Sequence, residues 1–160
     1  MLLEFAEKPY LKITYNNLSQ NGRIFGDKME IGNYEKTPDE KESLLATMMH
    51  EFGHYLDLED PSHEPFNSNS EVIKIFNEEF EEFLANTTTE QQKIIQYFTN
   101  PHKSPDYDPA QERIAETHSM LYSITSSANT YRQFYLAQYF PRTMAAIMEL
   151  LLEEEGIGIK

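Results

Sequence analysis

The sequence predicts an α+β domain that is mainly α, with a small N-terminal sheet and a helical remainder. Three observations carry that expectation. A short alternating stretch near the start runs into glycine-bounded extended residues. Apolar residues then recur at three- and four-residue steps through most of the chain. A cap, proline and box pattern marks two of the helix starts. The 160 residues suit one domain spanning 1–160, large enough to bury most of its apolar surface.

The elements follow in order. "YLKITY" places Leu11, Ile13 and Tyr15 on one strand face, and "RIFGDKMEIGNY" offers a second extended stretch after the turn-rich "NNLSQNG". Thr37 as N-cap, Pro38 at the first helical position and Glu40 as box partner open a helix over about 38–57. Leu44, Leu45, Met48, Met49, Phe52 and Leu56 give that helix a broad apolar band, as a largely buried helix requires. A second helix begins near Ser70, with Val72, Phe76, Phe80 and Phe83 as its core stripe and Glu78, Glu79, Glu81 and Glu82 as a solvated face. "TEQQKIIQYF" reads as a short helix capped by Thr89 with Gln92. Asp108, Pro109 and Gln111 open another helix over about 109–125. Two more follow, at about 128–140 and from Pro141 to about Glu154. The aromatic load at Phe76, Phe80, Phe83, Tyr131, Phe134, Tyr135, Tyr139 and Phe140 is expected in the core.

Composition narrows the function. A net charge of −14 argues against nucleic-acid binding, which needs a phosphate-neutralising surface. It suits attraction of basic peptides, or simply solubility. Cysteine is absent, which removes disulfides, thiolate metal sites and thiol nucleophiles. No window reaches the length of a membrane span. The start, "MLLEFAEKPYLK", lacks the basic and apolar regions of a signal peptide, so the chain reads as cytoplasmic, or as secreted if an upstream signal was removed.

One stretch, "LLATMMHEFGHYLDLED", carries chemistry. Residues four apart on a helix share a face, so His50 and His54 can aim both imidazoles at one ion. Glu51 lies ~100° around the helix from His50, placed to reach a metal-bound water and not to ligate. That is the division of labour in H-E-x-x-H metallopeptidases, with Zn2+ as cofactor and Glu51 as general base. The plain alternative is two histidines satisfied by carbonyls around a buried Glu51, which without a partner would cost several kcal/mol. A catalytic zinc needs a third protein ligand. Glu112 and Glu116, one turn apart on the 109–125 helix, supply candidates: one to ligate, the other to accept the N–H of a ligating histidine. Spacing alone leaves open which does which. His63 and His118 read as surface or structural residues.

"HEFGHYLD" (50–57), "QERIAETHSMLYS" (111–123) and "YFPRTMAAIMELL" (139–151) come in an order that resembles the catalytic domain of anthrax lethal factor and its relatives, which include the Pro-Pro endopeptidases. That family reads H-E-F-G-H-x-x-D, then E-x-x-A-E, then a P-x-T segment before a closing helix. The resemblance covers about residues 25–152. It implies a zincin-like domain in which His50, His54 and Glu112 are the metal ligands, Glu51 the base and Glu116 the partner of a ligating histidine. Asp57 matches the motif's aspartate. The family's transition-state tyrosine would fall at Pro105, which leaves Tyr107, or alternatively His102, as the oxyanion donor. "DKMEIG" (27–32) resembles the family's edge strand, against which a peptide can lie by strand addition; an ordinary edge strand is the alternative.

The expected function is therefore zinc-dependent endoproteolysis of a peptide or protein substrate, with basic or proline-containing peptides as candidates. A catalytically inactive zincin-fold binding domain is the alternative from another class. A third reading is an intracellular regulatory peptidase of a mobile element.

Overall fold

The computed structural model describes residues 12–16, 22–25, 28–32, 38–58, 64–100, 107–121 and 127–154. These residues are mainly helical. Three short strands, β1 (Lys12–Asn16), β2 (Gly22–Phe25) and β3 (Lys28–Gly32), precede seven helices among the described residues: α1 (Pro38–Leu58), α2 (Ser70–Asn86), α3 (Thr89–Ile94), α4 (Gln96–Thr99), α5 (Pro109–Leu121), α6 (Ser127–Tyr139) and α7 (Pro141–Glu154). A single 3-10 turn, Phe66–Ser68, lies between α1 and α2.

The strands order as β1-β3-β2. β1 runs parallel to β3, and β2 pairs antiparallel with it, Phe25 opposite Lys28 and Gly22 opposite Ile31. The stretch expected as one extended segment is thus two strands separated only by Gly26 and Asp27, a dipeptide suited to a two-residue hairpin. The expectation that "DKMEIG" is an edge is corrected: β3 is the central strand, with both flanks paired. Burial follows from that position. Met29 and Ile31 are fully buried, and Glu30 is buried with its carboxylate 2.6 Å from Lys28 Nζ. Leu11 and Thr37 lie outside the described residues, as do the side chains of Ile13, Tyr15 and Glu40.

Two apolar clusters hold the helices. Met29 and Ile31 join Met49, Phe52, Tyr55 and Leu56 of α1, Ile114 of α5, and Ile147 and Leu151 of α7. Phe76 and Phe83 of α2 join Ile95, Phe98, Leu136 and Phe140 in a second, largely aromatic cluster. Arg113 ties this second cluster to α5: its guanidinium lies 3.5 Å over the Phe76 ring and donates to the Phe98 carbonyl at 2.6 Å. Burial lowers the Arg113 pKa to about 10, with Asp108 and Tyr107 opposing the shift.

Side chains cap three of the helix starts, and at Asp108 the cap is the one the sequence signals. Asn69 accepts from Glu71 N and Val72 N to start α2. Asp108 accepts from Ala110 N at 2.8 Å just ahead of α5. The cap of α3 is Thr88 with Gln91, one residue before the expected Thr89 and Gln92; three consecutive threonines made either frame possible. Ile95, at φ −94 and ψ 8, divides the expected 89–98 helix into α3 and α4.

Two expectations about side-chain placement are corrected. Tyr131 and Phe134 are 69% and 58% exposed, while Leu136 and Phe140 fill the core positions of the same region. Glu79, expected on a solvated face, is 4% exposed and caps another helix. Its carboxylate accepts from Arg142 N at 2.8 Å, and from Thr143 N and Thr143 Oγ1 at 2.7 and 2.6 Å. An anion at the first turn of α7 satisfies otherwise orphaned N–H groups and suits the helix dipole. Glu78 and Glu82 only meet the exposed Arg142 guanidinium, at 3.3 and 3.1 Å.

α1 and α5 cross at Gly53. A Cβ there would stand 2.7 Å from Ala115 Cα and 3.0 Å from His118 Cβ, closer than the backbone of α5 allows. Gly53→Ala is expected to lower unfolding free energy by about 1–3 kcal/mol through overpacking, measured by chemical denaturation. Glu79→Ala should cost about 1–2 kcal/mol by uncapping α7. Glu78→Ala and Glu82→Ala, by contrast, should each stay within about 0.5 kcal/mol of the parent chain in the same assay.

Candidate metal centre

The crossing carries the site. On α1, His50, Gly53 and His54 occupy one face, and on α5, Glu112, Ala115 and Glu116 repeat the same three- and four-residue spacing. The small residue of each set lies at the contact, so the polar residues on either side of it face one another across a short gap.

Three donors converge there. His50 Nε2 and His54 Nε2 are 3.2 Å apart. Glu112 Oε2 lies 3.3 Å from His50 Nε2, and Glu112 Oε1 lies 3.8 Å from His54 Nε2. A small divalent ion held tetrahedrally at ~2.0–2.1 Å from each donor needs donor separations of about 3.3 Å. The His50–His54 and His50–Glu112 distances sit close to that value and the His54–Glu112 distance is longer, so His50, His54 and Glu112 are a group that could hold one metal ion. Two imidazole nitrogens facing at 3.2 Å repel unless a proton or a cation lies between them, which is a second mark of such a site.

The charges agree. Burial alone would depress the His50 imidazolium, but the Glu112 hydrogen bond and the charges of Glu116, Glu112 and Glu51 outweigh it and raise its pKa to about 9. Burial and the neighbouring His50 charge lower His54 to about 4, against the pull of Glu112. Glu112, which burial would raise, is held down at about 2 by its hydrogen bond to His50, the charges of both histidines and the Tyr97 hydroxyl. Glu51 is buried, and that desolvation, opposed by His50 and reinforced by Glu112, raises it to about 7. The His50 imidazolium and Arg132 answer the carboxylates here, and an ion taking the site would displace the His50 proton.

Around the donors stands a set of supports. Glu116 is fully buried, its Oε1 3.5 Å from His50 Nδ1, the place of a carboxylate that orients a ligating imidazole. Burial raises its pKa, with His50 and Arg132 pulling the other way. Gln133 of α6 donates to Glu116 Oε2 at 3.4 Å, and Arg132 NH1 lies 3.6 Å from Oε1. His118 is buried on another side of α5, donating Nδ1–H to the Met49 carbonyl at 2.8 Å; desolvation lowers its pKa to about 4, against that hydrogen bond. Asp57 Oδ1 accepts from Asn67 N at 2.8 Å and so fastens the 3-10 turn to the end of α1.

Tyr107 is half-buried, and its hydroxyl donates to the carbonyl of Tyr97. The group that touches a donor is Tyr97 itself, whose hydroxyl donates to Glu112 Oε2. Burial, with Glu112 and Glu116 adding to it, pushes the Tyr97 phenol well above its ordinary range. His63, His102 and Pro105 lie outside the described residues. Sequence reading missed Tyr97, Arg132 and Gln133. Gln133 did leave a signal, since a polar residue in phase with Leu136 and Phe140 faces the core. Tyr97, fifteen positions before Glu112 in the chain, left none.

Metal titration of the purified chain should give about one ion per chain, with the site lost in His50→Ala, His54→Ala and Glu112→Ala. Glu116→Ala should keep the stoichiometry and weaken binding by about 10–100-fold, the usual effect of removing an orienting carboxylate. Comparison with known protein families, with curated proteins and with solved structures finds no match to this chain.

Proposed function

We propose that this chain is a zinc-dependent metalloendopeptidase that hydrolyses bonds in a peptide or protein substrate, on a zincin-like domain. The observation that carries the proposal is the convergence of His50, His54 and Glu112 from two helices, with Glu51 buried beside His50. Two imidazoles and a carboxylate are a donor set that zinc takes, and three protein ligands leave a fourth position open. The small sheet, the histidine-bearing α1 and the glutamate-bearing α5, in that order, support the zincin-like assignment.

Zinc bound there would supply Lewis acidity for a water and for the scissile carbonyl. The rest falls to the chain. Glu51, with its pKa raised to about 7, is matched to accept a proton from water near neutral pH and to return it to the departing amine. Glu116 Oε1, 3.5 Å from His50 Nδ1, stands where a carboxylate can orient that imidazole and keep Nε2 turned toward the donors. The −14 net charge favours approach of a basic peptide, and the family resemblance adds proline-containing substrates.

A catalytically inactive binding domain is the second reading. Pro105 at the family's tyrosine position favours it, together with a Tyr107 hydroxyl already engaged by the Tyr97 carbonyl. The two readings part in a cleavage assay on a broad peptide library that includes basic and proline-containing members. The peptidase reading expects cleavage by the zinc-loaded chain, reduced about 10²–10⁴-fold in Glu51→Gln with zinc still bound. A chain that holds zinc and cleaves nothing in the library is the binding domain instead.

No helix among the described residues is long and apolar enough to cross a membrane.

A further inference from the structure

We infer that Tyr97, clamped beneath Arg132, is the positioning residue that orients Glu112 for metal binding; the inference rests on the metal-site reading above. Its hydroxyl donates to Glu112 Oε2, while Oε1 is turned toward His54 Nε2 at 3.8 Å. The two oxygens of this carboxylate are therefore not equivalent: Oε2 carries the tyrosine hydrogen bond and lies 3.3 Å from His50 Nε2, while Oε1 faces His54.

That asymmetry matters for ligation. The last torsion of a glutamate is broad and roughly two-fold, so an unsupported carboxylate samples many orientations. Fixing it on the metal then costs conformational entropy. A hydroxyl held on one oxygen selects one orientation in advance, as partners of metal ligands commonly do.

Tyr97 is itself held on several sides. The Arg132 guanidinium carbon lies 3.9 Å from the centroid of its ring, Phe98 packs edge-on at 5.0 Å, and the Tyr107 ring stands at 5.8 Å. Tyr107 also donates its hydroxyl to the Tyr97 carbonyl, so the backbone is fastened as well as the ring. Arg132 reaches further: its NH1 is 3.6 Å from Glu116 Oε1, and Glu116 in turn faces His50. One cation thus braces the partners of two donors, Tyr97 behind Glu112 and Glu116 behind His50. Packing alone would be served equally by phenylalanine at 97. The hydroxyl aimed at Oε2 is what a purely apolar role leaves unexplained.

The test compares the metal-free chain with Tyr97→Phe and Tyr107→Phe, each titrated with Zn2+ against a chromophoric chelator and with Co2+ by visible absorption. Tyr97→Phe should keep the melting temperature of the metal-free chain within a few degrees, bind Zn2+ about 10–100-fold more weakly, and change the shape of the Co2+ ligand-field bands. Tyr107→Phe, which removes a hydroxyl that touches no donor, should leave the Co2+ spectrum as in the parent and weaken Zn2+ less. Parent-like affinity and spectrum in Tyr97→Phe would overturn the role while leaving the metal site intact. Weaker binding with an unchanged Co2+ spectrum and a lowered metal-free melting temperature would overturn it in favour of a merely structural tyrosine. A parent chain that binds neither ion overturns the metal-site reading and this role with it.

Discussion

Everything at the centre of this molecule depends on how closely two helix backbones can approach. Gly53 and Ala115 meet where α1 and α5 cross, and no atom larger than hydrogen fits at position 53 without moving α5. Because each small residue follows a polar one by three positions and precedes another by one, the crossing sets four polar side chains face to face. A wider crossing, filled by leucine or valine, would be a better apolar contact and would separate His50 and His54 from Glu112. Packing has been given up at one point so that chemistry can be brought together there.

That arrangement is electrostatically expensive, and the surroundings show how the cost is offset. Glu51, Glu112 and Glu116 are buried or nearly so within reach of one another's charge, which in a medium of low polarity none of them tolerates alone. His50 answers by favouring its charged form, and Arg132 adds a second cation from α6. Arg113, one residue from Glu112, points the opposite way, into the Phe76 ring and the Phe98 carbonyl, where it anchors α5 to the aromatic cluster. α5 is thereby fixed from both sides: by a tight backbone contact on one and by a buried cation among aromatic rings on the other.

Local features of this fold were legible in the sequence, and relations between distant segments mostly were not. The helices came through because apolar spacing and cap signals such as Asp108 act within a turn or two. The juxtaposition of His50 and His54 with Glu112 was legible for the same reason: each helix carries its polar pair at a spacing that only a helix makes meaningful. Glu79 did not, because its partners lie 63 and 64 positions further on and nothing nearby distinguishes it from Glu78 or Glu82. The edge placement of β3 rested on the family resemblance, because strand spacing says nothing of which neighbours pair with it. Tyr131 and Phe134 looked like core because hydrophobicity forbids little at a surface. Choosing between Thr88 and Thr89 as a cap needed the backbone itself.

Gly53 has one more consequence, felt in the unfolded chain. A glycine in mid-helix costs about 1 kcal/mol relative to alanine, so α1 is intrinsically weakest in the turn that carries both imidazoles. That turn is held helical by what packs on it, and α5 is the principal neighbour. In the unfolded chain the two histidines have no common face and Glu112 is some sixty residues away along a flexible path. The donors exist as a set only in the docked molecule. Any ion that binds the set is then linked to folding by mass action, and a free-ion concentration near one hundred times its dissociation constant would add about 2.7 kcal/mol to the stability of the native chain. Affinity at this site is, in that sense, also a gauge of how completely α1 and α5 have come together.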